Sequence, residues 1–317
     1  MPARVVSKKD EIIKESARKI QSLTKEVSYL RSQILELTKK IEKNKETENA
    51  NELDECKCVA MEYGGLNITD WDYTINKSSN NVILNKYIGN SAEVTVLDEY
   101  EIYGEKYKVI LNPSTIFALN TFIRTIKFNG SFNNMKSLNG MFACCISLQS
   151  IDFGDEFDTS DTTSMSFVFR CCRSLKSIHF GKKFDTSNVT NMGYLFYGCK
   201  RLTNIDLSTF DTSKVTTMTN IFTNCKSLIS LDLSSFNTCK LNNMGDMFNG
   251  CESLIILDLR SFNTSKVKII DKLFFGCRSL DQIIINRRKW NLSYIYNNYT
   301  LFDDTRSDDG MKVFHYV

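Results

Sequence analysis

The chain has 317 residues, 42% of them hydrophobic and 24% charged, a balance that places it with globular rather than disordered proteins. Its net charge of +3 and pI near 8.2 lack the concentrated basic character of a nucleic-acid binder, so no nucleic-acid partner is expected. Met1–Asp10 carries no apolar stretch of the kind that opens a secretory signal, and no uncharged apolar run reaches the roughly 18 residues of a spanning helix. Taken alone, the sequence therefore reads as cytoplasmic, with no membrane span.

Over residues 8–44 the apolar residues recur alternately every three and four positions, the period of a coiled-coil seam. Ile13, Ile20, Val27, Ile34 and Ile41 take the a positions, and Leu23, Leu30 and Leu37, with Ser16, take d. β-branched residues at a with leucine at d favour a parallel dimer, and Glu26 at g faces Arg31 at the partner's following e. The expectation is a stalk that joins the chain to a second copy of itself; heptads alone leave a trimer or an antiparallel pair open. Residues 45–56 lose the period and read as a hydrated linker.

Residues 57–112 alternate apolar and polar residues between turn formers, as in Asn81–Tyr87, Glu93–Leu97 and Lys106–Leu111. They predict short antiparallel strands that cap the N-terminal end of a larger fold.

From residue 113 onward the chain repeats. Phe142, Phe169, Phe196, Phe222, Phe248 and Phe274 stand 27, 27, 26, 26 and 26 residues apart. Each is followed three residues later by Cys145, Cys172, Cys199, Cys225, Cys251 or Cys277, then by a leucine, then by an Ile or Leu that opens an apolar-x-apolar triplet. That sequence of positions is the strand of a leucine-rich solenoid. A degenerate copy begins at Phe117, with Asn120 at the cysteine position, a substitution such ladders accept. The expected fold is an α/β leucine-rich-repeat solenoid of about seven units over residues 113–286, with a β-rich N-terminal cap and a C-terminal cap over 287–317 that includes Trp290. Within each unit, Val189, Met192, Leu195 and Phe196 fall at helical spacing and Gly198 suits a helix end, so a short helix is expected between strands.

The units Phe184–Met192 and Phe210–Met218, with their shared Phe-Asp-Thr-Ser-x-Val-Thr-x-Met phrase, resemble the BspA-type leucine-rich-repeat family of bacteria over roughly residues 115–286. The resemblance implies a surface or secreted protein that adheres or binds ligands; the N-terminal coil and the lack of a signal depart from that pattern.

In each strand the residue between the last two apolar positions points away from the core. This column holds Asp152, His179, Asp206, Asp232 and Asp258, beside a second column with Ser177, Asn204 and Ser230. Both are candidates for a ligand-binding concave face, and each aspartate can equally brace its own turn. The cysteine column reads as a buried, reduced ladder, because side chains on successive rungs run parallel rather than converge on a metal. Cys56 and Cys58 form an isolated pair near the linker. With two histidines in the whole chain and no nucleophile, phosphate-loop or zinc motif, the sequence predicts no enzyme, no metal and no cofactor. The partners expected are itself, through the coil, and a protein or glycan. The competing readings are a component of an appendage or phage-type fibre and a cytoplasmic interaction adaptor.

Overall fold

The computed structural model describes residues 68–114, 116–291, 301 and 313–316. These belong to the second of the two units into which the chain divides, Ala60–Val317. The coil positions Ile13 to Ile41, the linker and the Cys56/Cys58 pair lie outside the described residues.

Five strands open the fold: β1 (Trp71–Asn76), β2 (Asn81–Tyr87), β3 (Glu93–Leu97), β4 (Glu99–Ile102) and β5 (Glu105–Leu111). Four of them form a sheet in the order β1-β2-β5-β4, in which two antiparallel hairpins meet along a parallel β2–β5 pair. The expected wholly antiparallel cap is thus corrected to a mixed one, and β3 is not part of it. β3 instead pairs in parallel with β6 (Thr125–Asn129), setting Val94 beside Ile126 and Val96 beside Phe128. Val94 and Val96 alternate inward like the repeat strands, and both are buried only because they occupy the repeat's own columns.

β7 (Ser150–Asp152) and β8 (Ser177–His179) extend this sheet in register, joining Ile126, Ile151 and Ile178. Further along, β9 (Ile256–Leu259), β10 (Gln282–Ile285) and β11 (Val313–Tyr316) form a second parallel sheet. Between the two, residues 203–206 and 229–232 are irregular, although the Ile229 amide donates to the Thr203 carbonyl at 3.1 Å. β3 and β11 add a rung at each end of the seven expected from spacing, and the nine rungs are joined by about eight turns.

The expected helices are not there: no α-helix occurs among the described residues, so the fold is a β-solenoid rather than an α/β one. Where the helix was expected, Met192–Cys199 runs as a succession of turns. The amides of Met192, Tyr194, Phe196 and Gly198 donate to the carbonyls of Thr217, Thr219, Ile221 and Thr223 in the next coil at 2.7–3.1 Å. Those of Leu195, Tyr197 and Cys199 bond back three residues, to Met192, Tyr194 and Phe196. A left-handed residue at every fourth place, Tyr194 (φ 59°) and Gly198 (φ 72°), stops a helix from propagating. Three-residue turns send Val189, Met192 and Leu195 inward as a helix would, so the apolar spacing is common to both conformations. The bridges Ser137↔Ser164↔Asn191↔Thr217↔Asn243↔Ile269 carry this turn ladder unbroken along the stack.

The core is a set of in-register aromatic columns. Phe142, Phe169, Phe196, Phe222, Phe248 and Phe274 stack at centroid spacings of 5.5–6.0 Å with interplanar angles of 2–9°. Phe128, Phe153 and Phe180 form a second column, which Leu207, Leu233 and Leu259 continue. Each of these side chains is covered by its equivalents in the neighbouring coils, so no coil buries its apolar face alone.

Candidate functional site

Strand alternation puts Thr125, Ser150 and Ser177 in one solvent-facing column and Lys127, Asp152 and His179 in the next. Together with Glu93 and Thr95 of β3 they line an open depression of about 470 Å³ on the strand face. Asp152, Ser177 and His179 are therefore brought together, in company with an acid, a base and two hydroxyls that the repeat pattern did not reveal. The only sequence signal for Glu93 and Thr95 was the alternation of Glu93–Leu97, which fits either sheet. Asp232 and Asp258 line a separate depression of about 340 Å³ with Ser234, Arg260 and Ser261. Asn204 and Ser230, in the irregular stretches, are exposed and line neither depression, and the same is true of Asp206.

Each aspartate of the column also closes its own turn. Asp152, Asp206, Asp232 and Asp258 accept at Oδ1 from the amides of Gly154, Ser208, Ser234 and Arg260 at 2.9–3.0 Å. Bonds from the Ser208 and Ser234 side chains and amides hold the Asp206 and Asp232 carboxyls below the usual range, against the repulsion of Asp206 and Asp258 felt by Asp232. Asp258 is lowered chiefly by the Arg260 guanidinium, whose Nε and Nη2 contact its two oxygens at 2.6–3.0 Å. Asp206, Asp232 and Asp258, held ionised at neutral pH, add fixed acceptors to the strand face.

Beneath the surface, the thiols of Cys145, Cys172, Cys199, Cys225, Cys251 and Cys277 donate to the carbonyls of Phe117, Phe142, Phe169, Phe196, Phe222 and Phe248 in the preceding coil at 3.0–3.2 Å. All six are buried, and none is in a disulfide. At the equivalent position Asn120 works within its own coil, accepting from Phe122 and Ile123 amides at 2.9 Å. Sequence reasoning missed a second ladder. The buried threonines Thr159, Thr186, Thr212 and Thr238 of the Phe-[Asp/Asn]-Thr phrase donate to carbonyls one coil on at 2.7–3.1 Å. Its signal was the recurrence of threonine at one fixed place after each phenylalanine. Among the described residues no cluster of three or more metal-ligating side chains is present.

In-register strands, stacked phenylalanines and a cysteine ladder define the class as a leucine-rich-repeat solenoid of BspA-like type. The family model described as "Mycoplasma protein of unknown function, DUF285" matches residues 133–254 and 203–311, and the chain belongs to that family. Similar solved structures include a leucine-rich-repeat protein of T. pallidum, with 15% identity over 77% of this chain and 100% of that one (TM-score 0.39). A leucine-rich-repeat protein of Bacteroides ovatus has 18% identity over 70% of this chain and 71% of its own (TM-score 0.33). A leucine-rich cell surface protein of Faecalibacterium prausnitzii has 17% identity over 72% of this chain and 56% of its own (TM-score 0.46). No curated protein matches the chain.

Proposed function

We propose that the protein is a non-enzymatic binding module, acting in adhesion or ligand recognition, that presents its strand face to a protein or glycan. The observation that carries this reading is the depression over β3, β6, β7 and β8, where Asp152, Ser177 and His179 converge with Glu93, Thr95 and Lys127. Donors and acceptors of both charges on a rigid sheet suit recognition of a polar ligand, since little side-chain ordering is needed on binding. The remaining column residues, Asn204, Asp206, Ser230, Asp232 and Asp258, lengthen the same face. In this reading residues 8–44 dimerise the chain through Ile13, Ile20, Leu23, Val27, Leu30, Ile34, Leu37 and Ile41, and two faces on one stalk raise avidity for a multivalent target.

The test is surface plasmon resonance against a panel of glycans and purified extracellular-matrix proteins, using the full chain and a variant with Asp152→Asn and His179→Gln. Asparagine keeps an Oδ1 for the Gly154 amide, so the turn survives while the charge is lost. A panel member should bind, and the variant should weaken it about tenfold, the effect of losing one charge-assisted bond. A panel without binders, or a variant that binds equally well, would remove the strand face as the site. Light scattering on the full chain and on one beginning at Asn51 tests the stalk: a dimer that becomes a monomer is expected.

A further inference from the structure

On the turn ladder, away from the strand columns, three consecutive coils carry Gly140, Phe167 and Tyr194 at one equivalent position, as the bridges Ser137↔Ser164↔Asn191 set the register. All three have left-handed backbones, with φ of 69°, 62° and 59°. Later coils fill the place with Asn220 and Asp246, residue types that tolerate this conformation, and then with Lys272 (φ 53°); a bulky ring there is strained. Phe167 is nevertheless 39% exposed, so its ring does not fill the core. It stacks on Tyr194 at 4.9 Å and 17°, and the preceding coil offers only Gly140, around which a Cβ would meet little. Strain kept at a surface position, for a ring stacked on one side and open on the other, points to a use for the open side.

Cations stand beside it. The Arg170 guanidinium lies 5.9 Å from the Phe167 ring centre and 5.8 Å from that of Tyr197, which in turn packs on Tyr194 at 5.7 Å. Arg173 and Lys200 occupy a further equivalent position on two successive coils, and all three cations are exposed. None of them takes part in an ion pair among the described residues, although six pairs form elsewhere. The chain as a whole is only +3, so this local excess does not follow from bulk composition.

We infer that Phe167, Tyr194 and Tyr197, with Arg170, Arg173 and Lys200, form a second binding site, for an acidic polysaccharide. The apolar face of a pyranose stacks on the open side of Phe167, and its carboxylate or sulfate meets the guanidinium fork or the ammonium. Arg173 and Lys200, at equivalent places one coil apart, follow the coil spacing of about 4.8 Å, so both can meet acidic groups of one extended chain. The site goes beyond the strand-face reading and shares no residue with it.

The test measures binding of the full chain to heparin and polygalacturonate, with neutral dextran and an oligothymidylate as comparisons, by calorimetry at low and raised salt. Heparin or polygalacturonate should bind and weaken as salt screens the cations, while dextran does not bind. Phe167→Asn with Tyr194→Asn installs a residue type the ladder already holds at Asn220, so the fold is kept, and affinity should fall at least about tenfold. Arg170→Gln with Arg173→Gln and Lys200→Gln should abolish binding without altering the melting temperature. Indifference to both acidic polysaccharides, binding unchanged in both variants, or tighter binding of the oligothymidylate through the same residues would each overturn the inference. The Asp152→Asn, His179→Gln variant should bind heparin normally, so the two sites fail or stand separately.

Discussion

Thr212 shows how a single buried hydroxyl joins two coils. Its Oγ1 donates to the Asn237 carbonyl at 3.1 Å and accepts from the Asn237 amide at 2.8 Å. Thr212→Val keeps the shape but strands two buried backbone groups, so denaturant melts should show a loss of about 1–3 kcal/mol, with Thr212→Ser recovering most of it. The cysteine ladder behaves differently, because its groups titrate. Burial pushes the thiols of Cys145 and Cys225 up to about 12, from an ordinary value of 9.0, and raises Cys172, Cys199 and Cys251 in the same direction. A raised folded pKa contributes stability that is full below about pH 9 and is lost as pH climbs toward 12, so alkaline melts should fall steadily through that window. Alkylation of native protein at pH 8 followed by mass spectrometry should mark Cys144, Cys171 and Cys239, which are partly exposed, and spare the six ladder thiols. Labelling of Cys199 before unfolding would contradict the buried ladder.

At the scale of the element, the turns that join strand to turn ladder are closed by one acceptor. Asp158, Asp185 and Asp211 receive the amides of Ser160, Ser187 and Ser213 at 2.8–2.9 Å; in later coils Asn237 and Asn263 do the same for Cys239 and Ser265 at 3.0–3.2 Å. Those bonds hold Asp158 and Asp211 below the ordinary carboxylate pKa, so their contribution is present above about pH 3.8 and disappears as pH falls through the lowered values. Asp158→Asn with Asp211→Asn should flatten the acid limb of the stability curve and lower stability near neutrality by the contribution those carboxylates make there, the two proteins converging in acid. Contact between neighbouring coils is tightest at Gly181, where an added Cβ would overlap the carbonyl of Gly154 in the coil before. Gly181→Ala must push two backbones apart and should cost about 3 kcal/mol in thermal or chemical melts. Gly104→Ala, at a hairpin with open space around it and φ +78°, should cost only the smaller left-handed penalty of about 1 kcal/mol.

For the whole molecule, nearest-neighbour stacking makes the coil the unit of stability. Thr212 and Thr238 are equivalent, so joining Asp211 directly to Thr238 removes one complete turn and leaves every column in register. The shortened chain should still fold cooperatively with a lowered melting temperature, as circular dichroism will show; loss of folding would mean that the irregular rungs at 203–206 and 229–232 serve as a unique junction. Much of this architecture is legible without coordinates. Phe142 to Phe274 and Cys145 to Cys277 announce themselves because each is buried by its own equivalent one period away, which forces the period into the sequence. The outward columns with Asp152 and His179 emerge from strand alternation in the same way. What spacing left undecided was the conformation of Met192–Cys199, since turns of three residues and a helix bury the same positions. It also left open the place of Glu93–Leu97, whose alternation serves either sheet, and with it the Glu93 and Thr95 wall of the depression. Spacing along the chain is enough to define the repeat and which side chains face inward, because facing is a local consequence of period. Whether an amide finds its partner within its own turn or in the next coil, and which side chains meet across coils, such as Arg170 over Phe167 and Tyr197, is settled by stacking, because those partners exist only once the coils have stacked.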